Sequence, residues 1–228
     1  VSALLRCGRI HVFCRAMHSE LVKLWSLPAF WLTLAGTFGG ALLLTLALSS
    51  APPTGPVELD KVLVQPVAYA QAGFVLLGVL AACSEYAGGQ IRTTLLAMPQ
   101  RVSQRLAATA ALLLLALVVA ALVVGGGVLF GYVLLAEAAG ALDAGLLVPS
   151  ALNAIGYLAV LTVLGAALGT LTRRVLPAAA ALLLYLFVLS PLVSGQPVTD
   201  TQPDTAGLAP WSLAFLVASI VVVKHRDA

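Results

Sequence analysis

Four residues near the start of the chain, Cys7, His11, Cys14 and His18, are of the types that hold metal ions. They recur every three or four positions, which places four nitrogen or sulfur donors along one helical face. Zinc needs tetrahedral convergence, and a single straight helix commonly offers only two ligands to one ion. The spacing therefore reads as coincidence, and no metal site is expected. Hydrolysis inside a membrane would need a nucleophile with its base. All three histidines, His11, His18 and His225, lie in the tails, and Ser190 and Ser194 have no histidine or lysine near them in their apolar segment. Those serines read as helix-packing or capping residues. No G-x-x-x-x-G-K-[ST] pattern is present, so any nucleotide must be bound by another polypeptide. The chain is expected to bind no cofactor itself and to be no enzyme.

The elements that would position any such groups are dictated by composition. Of the 228 residues, 61% are hydrophobic and 9% charged, with a mean hydropathy of +1.05. A soluble domain carries roughly 25% charged residues. Apolar runs occur at 30–48, 67–83, 106–135, 151–171, 175–193 and 210–223. About 20 apolar residues cross a bilayer, and lipid offers the backbone no hydrogen-bond partner, so such runs must be helices. The fold expected is all-α and polytopic, with about six transmembrane helices in one domain over residues 17–228. The third run exceeds one span, so either tilt or a bend at Gly125, Gly126 and Gly127 is expected. Connections are expected at Ser49 to Pro66, Ala136 to Pro149 and Ser194 to Ala209.

Orientation follows from the basic residues, which are retained on the cytoplasmic side during insertion. With the N-terminus inside, Arg6, Arg9, Arg15, Lys23, Arg92, Arg101, Arg105, Arg173, Arg174, Lys224 and Arg226 are all cytoplasmic, and only Lys61 is outside. Both termini are expected inside. Cys7, Cys14 and Cys83 then also fall on the cytoplasmic side, and being odd in number they are not expected to form a disulfide framework.

Ahead of the first span, Met17, Leu21, Leu24 and Trp25 recur at helical spacing, with Glu20 and Lys23 on the other face. This pattern predicts an interfacial helix on the inner leaflet, with Pro28 turning the chain into the membrane and Trp25 and Trp31 in the headgroup zone. Residues 1–16 fit the protein less well and read as an over-extended gene start or a disordered extension.

The one substantial loop expected inside runs from Ser84 to Arg101. Ile91, Leu95 and Met98 recur at helical spacing before Pro99, which predicts a short amphipathic helix after the glycine pair Gly88 and Gly89. Read plainly, it is a surface connection whose basic residues set topology. Read more sharply, it docks a soluble partner. The stretch from Glu85 to Arg101 resembles the loop of type-2 ABC transporter permeases, where an acidic residue ends the second span and a Gly, Arg, Leu, Pro and Arg follow. Ser19 to Ser26 is similar to the N-terminal helix of actinobacterial members, and Pro203 to Gly207 with Arg226-Asp227-Ala228 is similar to their final loop and tail. The resemblance covers the chain from about Met17 onward. It departs at Gln90, where many relatives have a small hydroxyl residue, and at Arg105-Leu106-Ala107, where a lysine is often found.

The resemblance implies the transmembrane subunit of a bacterial ABC exporter in the cytoplasmic membrane. A separate ABC ATPase would bind ATP and Mg, and a second permease copy or paralogue would complete a dimer. It implies that Glu85, Arg92, Pro99 and Arg101 couple to the ATPase, as does an N-terminal helix bearing Glu20, Lys23 and Trp25. Short re-entrant helices would lie at the outer mouth around Pro203, Ala206 and Gly207. A hydrophobic or amphipathic cargo fits the apolar spans, and no nucleic-acid partner is expected.

Two other classes compete with this one. An ion-coupled transporter carries ionisable groups near mid-membrane, and these runs have none; Gln71 and Asn153 are expected to hydrogen-bond between helices or lie near an outer end. A membrane scaffold without a pathway would also have six spans and small loops. Three glycine pairs, Gly36 with Gly40, Gly127 with Gly131, and Gly165 with Gly169, have the spacing that lets membrane helices approach closely; internal packing is expected of them by default, with a dimer seam at the first pair as the alternative that analogy offers.

Overall fold

The computed structural model describes residues 17–19, 21–26, 28–50, 59–84, 101–135, 144–194, 210, 212–218 and 221. Helix α1 spans Pro28–Ser50, α2 Leu59–Ser84, α3 Arg101–Leu135, α4 Ala144–Thr172 and α5 Val175–Leu184. A π-helical turn, Tyr185–Leu189, prolongs α5 into α6, Ser190–Ser194. Residues 21–26 are helical ahead of α1, and 212–218 are helical near the end of the chain.

Five of these segments are long and apolar enough to cross a bilayer: Pro28–Ala47, Val67–Ser84, Leu106–Phe130, Val148–Thr172 and Val175–Leu192. None contains Asp, Glu, Lys or Arg. The chain is an all-α, multi-pass membrane protein. Large apolar side chains such as Leu32, Leu43, Leu122, Leu152, Leu176 and Leu192 point outward, as expected where the surrounding solvent is hydrocarbon.

Helices α2 and α4 form the centre. Each has 61% of its apolar window buried, against 17% for α1. Their mutual contact is the most extensive in the fold, with α1 against α2, α3 against α4, and α5 against both around it. Lipid tails are as apolar as leucine, so association relies on close packing rather than on a hydrophobic drive. The seam supplies it with small residues: a Cβ on Gly165 would sit 2.8 Å from the Val75 carbonyl oxygen, and one on Gly169 would sit 3.2 Å from that of Val79. On α2, a Cβ on Gly78 would collide with the backbone of Thr162. Buried hydroxyls in these helices are satisfied locally, Thr162 Oγ1 donating to the Leu158 carbonyl at 2.9 Å and Thr170 Oγ1 to that of Ala167 at 2.6 Å.

Several boundaries differ from the sequence expectation. Helix α2 starts at Leu59 and α4 at Ala144, so the connections that precede them are shorter than Ser49 to Pro66 and Ala136 to Pro149. Pro66 and Pro149, the last residues of the expected connections, stand at the eighth and sixth positions of their helices, past the four donors that lack intrahelical partners, so each is carried at the loss of one backbone hydrogen bond. Helix α3 runs unbroken through Gly125, Gly126 and Gly127. At 35 residues it is about 52 Å long, of which the apolar window Leu106–Phe130 takes 25 residues. Of the sixth run, 210, 212–218 and 221 are described and helical, Ser212 being buried and Phe215 packed beside Leu182 and Leu186 in the α2/α4/α5 core.

Two local features shape the α4 to α6 region. Arg173 adopts φ 55°, the left-handed position that closes a helix, and its N–H donates to the Gly169 carbonyl at 2.8 Å. Arg174 is extended and α5 begins at the next residue, so α4 and α5 form a hairpin joined by two arginines. Further on, Pro191 has no N–H, and in a regular helix its ring would press on the carbonyl four residues back. The chain inserts a π turn just before it, in which the Ser190 N–H reaches the Tyr185 carbonyl.

Candidate functional site

The basic end of the bundle, where α2 finishes and α4 turns into α5, carries the best-defined local construction. Ser26 Oγ donates to the Lys23 carbonyl at 2.8 Å, and Pro28 opens α1 at the first helical position, where its missing N–H costs nothing. The Trp31 indole N–H reaches back to the Trp25 carbonyl at 2.9 Å. The two indoles meet edge to face with centroids 4.7 Å apart, and Phe30 meets Trp31 edge to face at 5.9 Å. The elbow between 21–26 and α1 is therefore fixed by a hydrogen bond and by aromatic packing together.

Leu24 anchors this elbow to the bundle. It is buried with Phe30, Leu77, Ala82, Leu112 and Ala166, so the short helix rests on the last turns of α2. The amphipathic pattern is only partly realised: Met17 and Leu21 are half-buried and Leu24 is buried, but Lys23 is half-buried as well and Trp25 is 59% exposed, turned toward Trp31 instead of the core. A crevice of about 320 Å³ remains beneath the elbow, between Leu24 and Phe30 on one side and Leu77, Ala81, Ser84 and Val175 on the other.

Of the residues singled out from sequence, Lys23 and Trp25 lie in this elbow, and Arg101 is the first residue of α3. Glu20, Glu85, Arg92, Pro99, Pro203, Ala206 and Gly207 lie outside the described residues, as do residues 1–16 with Cys7, His11 and Cys14. Cys83 is a buried free thiol whose Sγ lies 3.6 Å from the Gly169 carbonyl. Among the described residues no group of three or more His, Cys, Asp or Glu could hold a metal ion.

A second concavity lies between α1 and α2. This open groove of about 500 Å³ is lined by Leu32, Gly36, Gly40, Tyr69, Gly73 and Leu76, among others. It corrects the reading of the first glycine pair: a Cβ on Gly36 or Gly40 would meet nothing within 4 Å. These glycines are not used for packing within the chain. Gly127 likewise faces open space.

Away from both concavities, Tyr157 of α4 donates its hydroxyl to Gln71 Oε1 of α2 at 2.7 Å. Gln71 is thus the interhelical polar residue expected. Its partner Tyr157 and the π turn were not singled out from sequence, although Pro191 within an apolar run is the signal that could have revealed the turn.

No family model matches the chain, and no curated protein matches it.

Proposed function

We propose that the chain is the transmembrane permease subunit of an ATP-driven ABC exporter in a bacterial cytoplasmic membrane, with its basic end facing the cytoplasm. The observation that supports this reading most is the anchoring of Leu24 on Leu77 and Ala82. It joins the helix 21–26 to the end of α2, one residue short of Glu85, where the loop resembling a coupling segment begins. A force delivered to either would reach the central α2–α4 pair directly.

In this reading a separate ATPase binds ATP and Mg, and the loop residues Glu85, Arg92, Pro99 and Arg101 and the elbow receive its motion. A second permease subunit completes the pathway, and the cargo is hydrophobic or amphipathic. The membrane-facing glycines of α1 favour such a companion, since an unfilled small-residue stripe is where another helix approaches closely.

The test is a mild-detergent pull-down of the tagged chain from its native host, with mass spectrometry and an ATPase assay. Recovery of a stoichiometric soluble ATPase, lost on disruption of residues 85–101, is the expected result. Recovery of the intact chain without one would leave the scaffold reading in its place. Within a recovered complex, Arg92→Glu should abolish transport while membrane insertion and ATP hydrolysis persist; normal transport in that variant would remove the assigned coupling role.

A further inference from the structure

Gln71 lies between α2 and α4 at 5% exposure, and its amide has more hydrogen-bonding capacity than its surroundings use. A primary amide carries two donors on nitrogen and an oxygen that accepts. Among the described residues the Tyr157 hydroxyl, which donates to Oε1 at 2.7 Å, is the one group that meets it. Turning the amide over would let the nitrogen donate to that hydroxyl, but it would strand the oxygen and the second N–H. In either orientation at least one buried N–H has nothing in the protein to donate to. The other buried polar side chains of this seam avoid the problem by bonding their own helix, as Thr162 does at the Leu158 carbonyl and Thr170 at that of Ala167. Gln71 makes no such bond. Buried amide groups inside a membrane are rarely left so, because hydrocarbon offers no partner in exchange.

We infer that the Gln71 amide holds a buried water molecule, which accepts from Nε2 and donates to the Tyr157 oxygen. The three groups then close a ring: the hydroxyl donates to Oε1, the nitrogen to the water, and the water to the hydroxyl oxygen. This gives the water the two polar partners that a buried water requires at minimum. The burial of Gln71 sets the size of the occupant, since a lipid ester or a cargo molecule lying in the α1–α2 groove meets Tyr69, Gly73 and Leu76 of α2, and Gln71 is not among the groove's walls. Access is short for something as small as water. Gln71 stands four residues, about 6 Å, inside the Val67 end of its apolar window. Beyond it toward the basic end, Gly78 and Gly165 bring the two backbones too close for even a Cβ. The α2–α4 seam is therefore wet at one end and dry at the other. The inference stands on this geometry and is independent of the exporter reading.

Nuclear magnetic resonance of the full chain, labelled with ¹⁵N in its glutamine side chains and held in nanodiscs of deuterated lipid, tests it. The amide pair missing from Gln71→Met belongs to Gln71, and Gln71→Asn supplies the same assignment if the methionine variant is not recovered folded. In the starting protein this pair should show a dipolar cross-peak at the water frequency, recorded in the rotating frame so that direct exchange has the opposite sign. A tyrosine hydroxyl that exchanges with solvent could imitate such a peak, and Tyr157→Phe removes that route. The cross-peak should persist in Tyr157→Phe, because the amide donors still need an acceptor. Its absence from the starting protein overturns the inference, and so does its loss in Tyr157→Phe, which would assign the signal to the hydroxyl.

Discussion

Glycine pairs of the same spacing lie on α4 and on α1, the two neighbours of α2, and the two pairs are used differently. Toward α4, Gly78, Gly165 and Gly169 bring backbones so close that an added methyl group meets a carbonyl or a neighbouring side chain. Toward the bilayer, Gly36 and Gly40 of α1 leave a groove with nothing in it. The same residue at the same spacing is a packing device in one place and an unfilled surface in the other. The lesson is that small-residue spacing indicates where a helix can be approached, and only the neighbours reveal whether something within the chain approaches it.

Overfilling the seam should break this contrast most severely. Gly78→Val places a branched side chain against the Thr162 backbone, which has no freedom to withdraw, and a loss of about 3 kcal/mol or more is expected. A steep fall in the thermal unfolding midpoint in detergent would show it; an unchanged midpoint would mean that α2 and α4 are not packed this closely. A smaller effect tests the polar contact across the same seam. Tyr157→Phe removes the hydroxyl that bonds Gln71, and buried interhelical hydrogen bonds of this kind contribute about 0.6 to 1.7 kcal/mol. A double-mutant cycle with Gln71→Leu should recover a coupling of that size, and additivity of the two single losses would deny the contact.

The smallest effect on the isolated chain is expected at the groove. Gly40→Ala meets no atom and should leave stability unchanged or raise it by up to about 1 kcal/mol, since alanine is the better helix former. Gly40→Leu should be tolerated as well by the single chain, yet it should weaken self-association or heteroassociation if a second helix docks there. Förster transfer between labelled copies in vesicles would separate the cases, and transfer unaffected by Gly40→Leu would remove the groove from any subunit interface.

The membrane class and the five apolar spans were legible in the sequence because the bilayer imposes its thickness on composition. Helix starts were less so. Pro66 and Pro149 are strong punctuation in a sequence, but each is carried inside its helix at the loss of one backbone hydrogen bond, so α2 and α4 extend upstream of the apolar runs. Gly165 with Gly169 packed as their spacing predicted, whereas Gly36 with Gly40 did not, and no property of those two pairs considered separately distinguishes them. The difference arises from which helix α4 happens to face. For the elbow, the periodicity of Met17, Leu21 and Leu24 pointed to the buried side. Trp25 broke the pattern because its ring is paired with Trp31, whose indole N–H also bonds its carbonyl.

The two-residue link between α4 and α5 has a mechanical consequence. Two linking residues give three Cα–Cα steps, at most about 11 Å, while packed helices stand about 8 to 10 Å apart, and Arg173 uses part of that reach on a left-handed turn. The link has little slack. Any motion that separates helices must therefore carry α4 and α5 together at this end, as the two prongs of a fork move with its handle, and relative travel between them is easiest toward the far tips, where the π turn interrupts one prong.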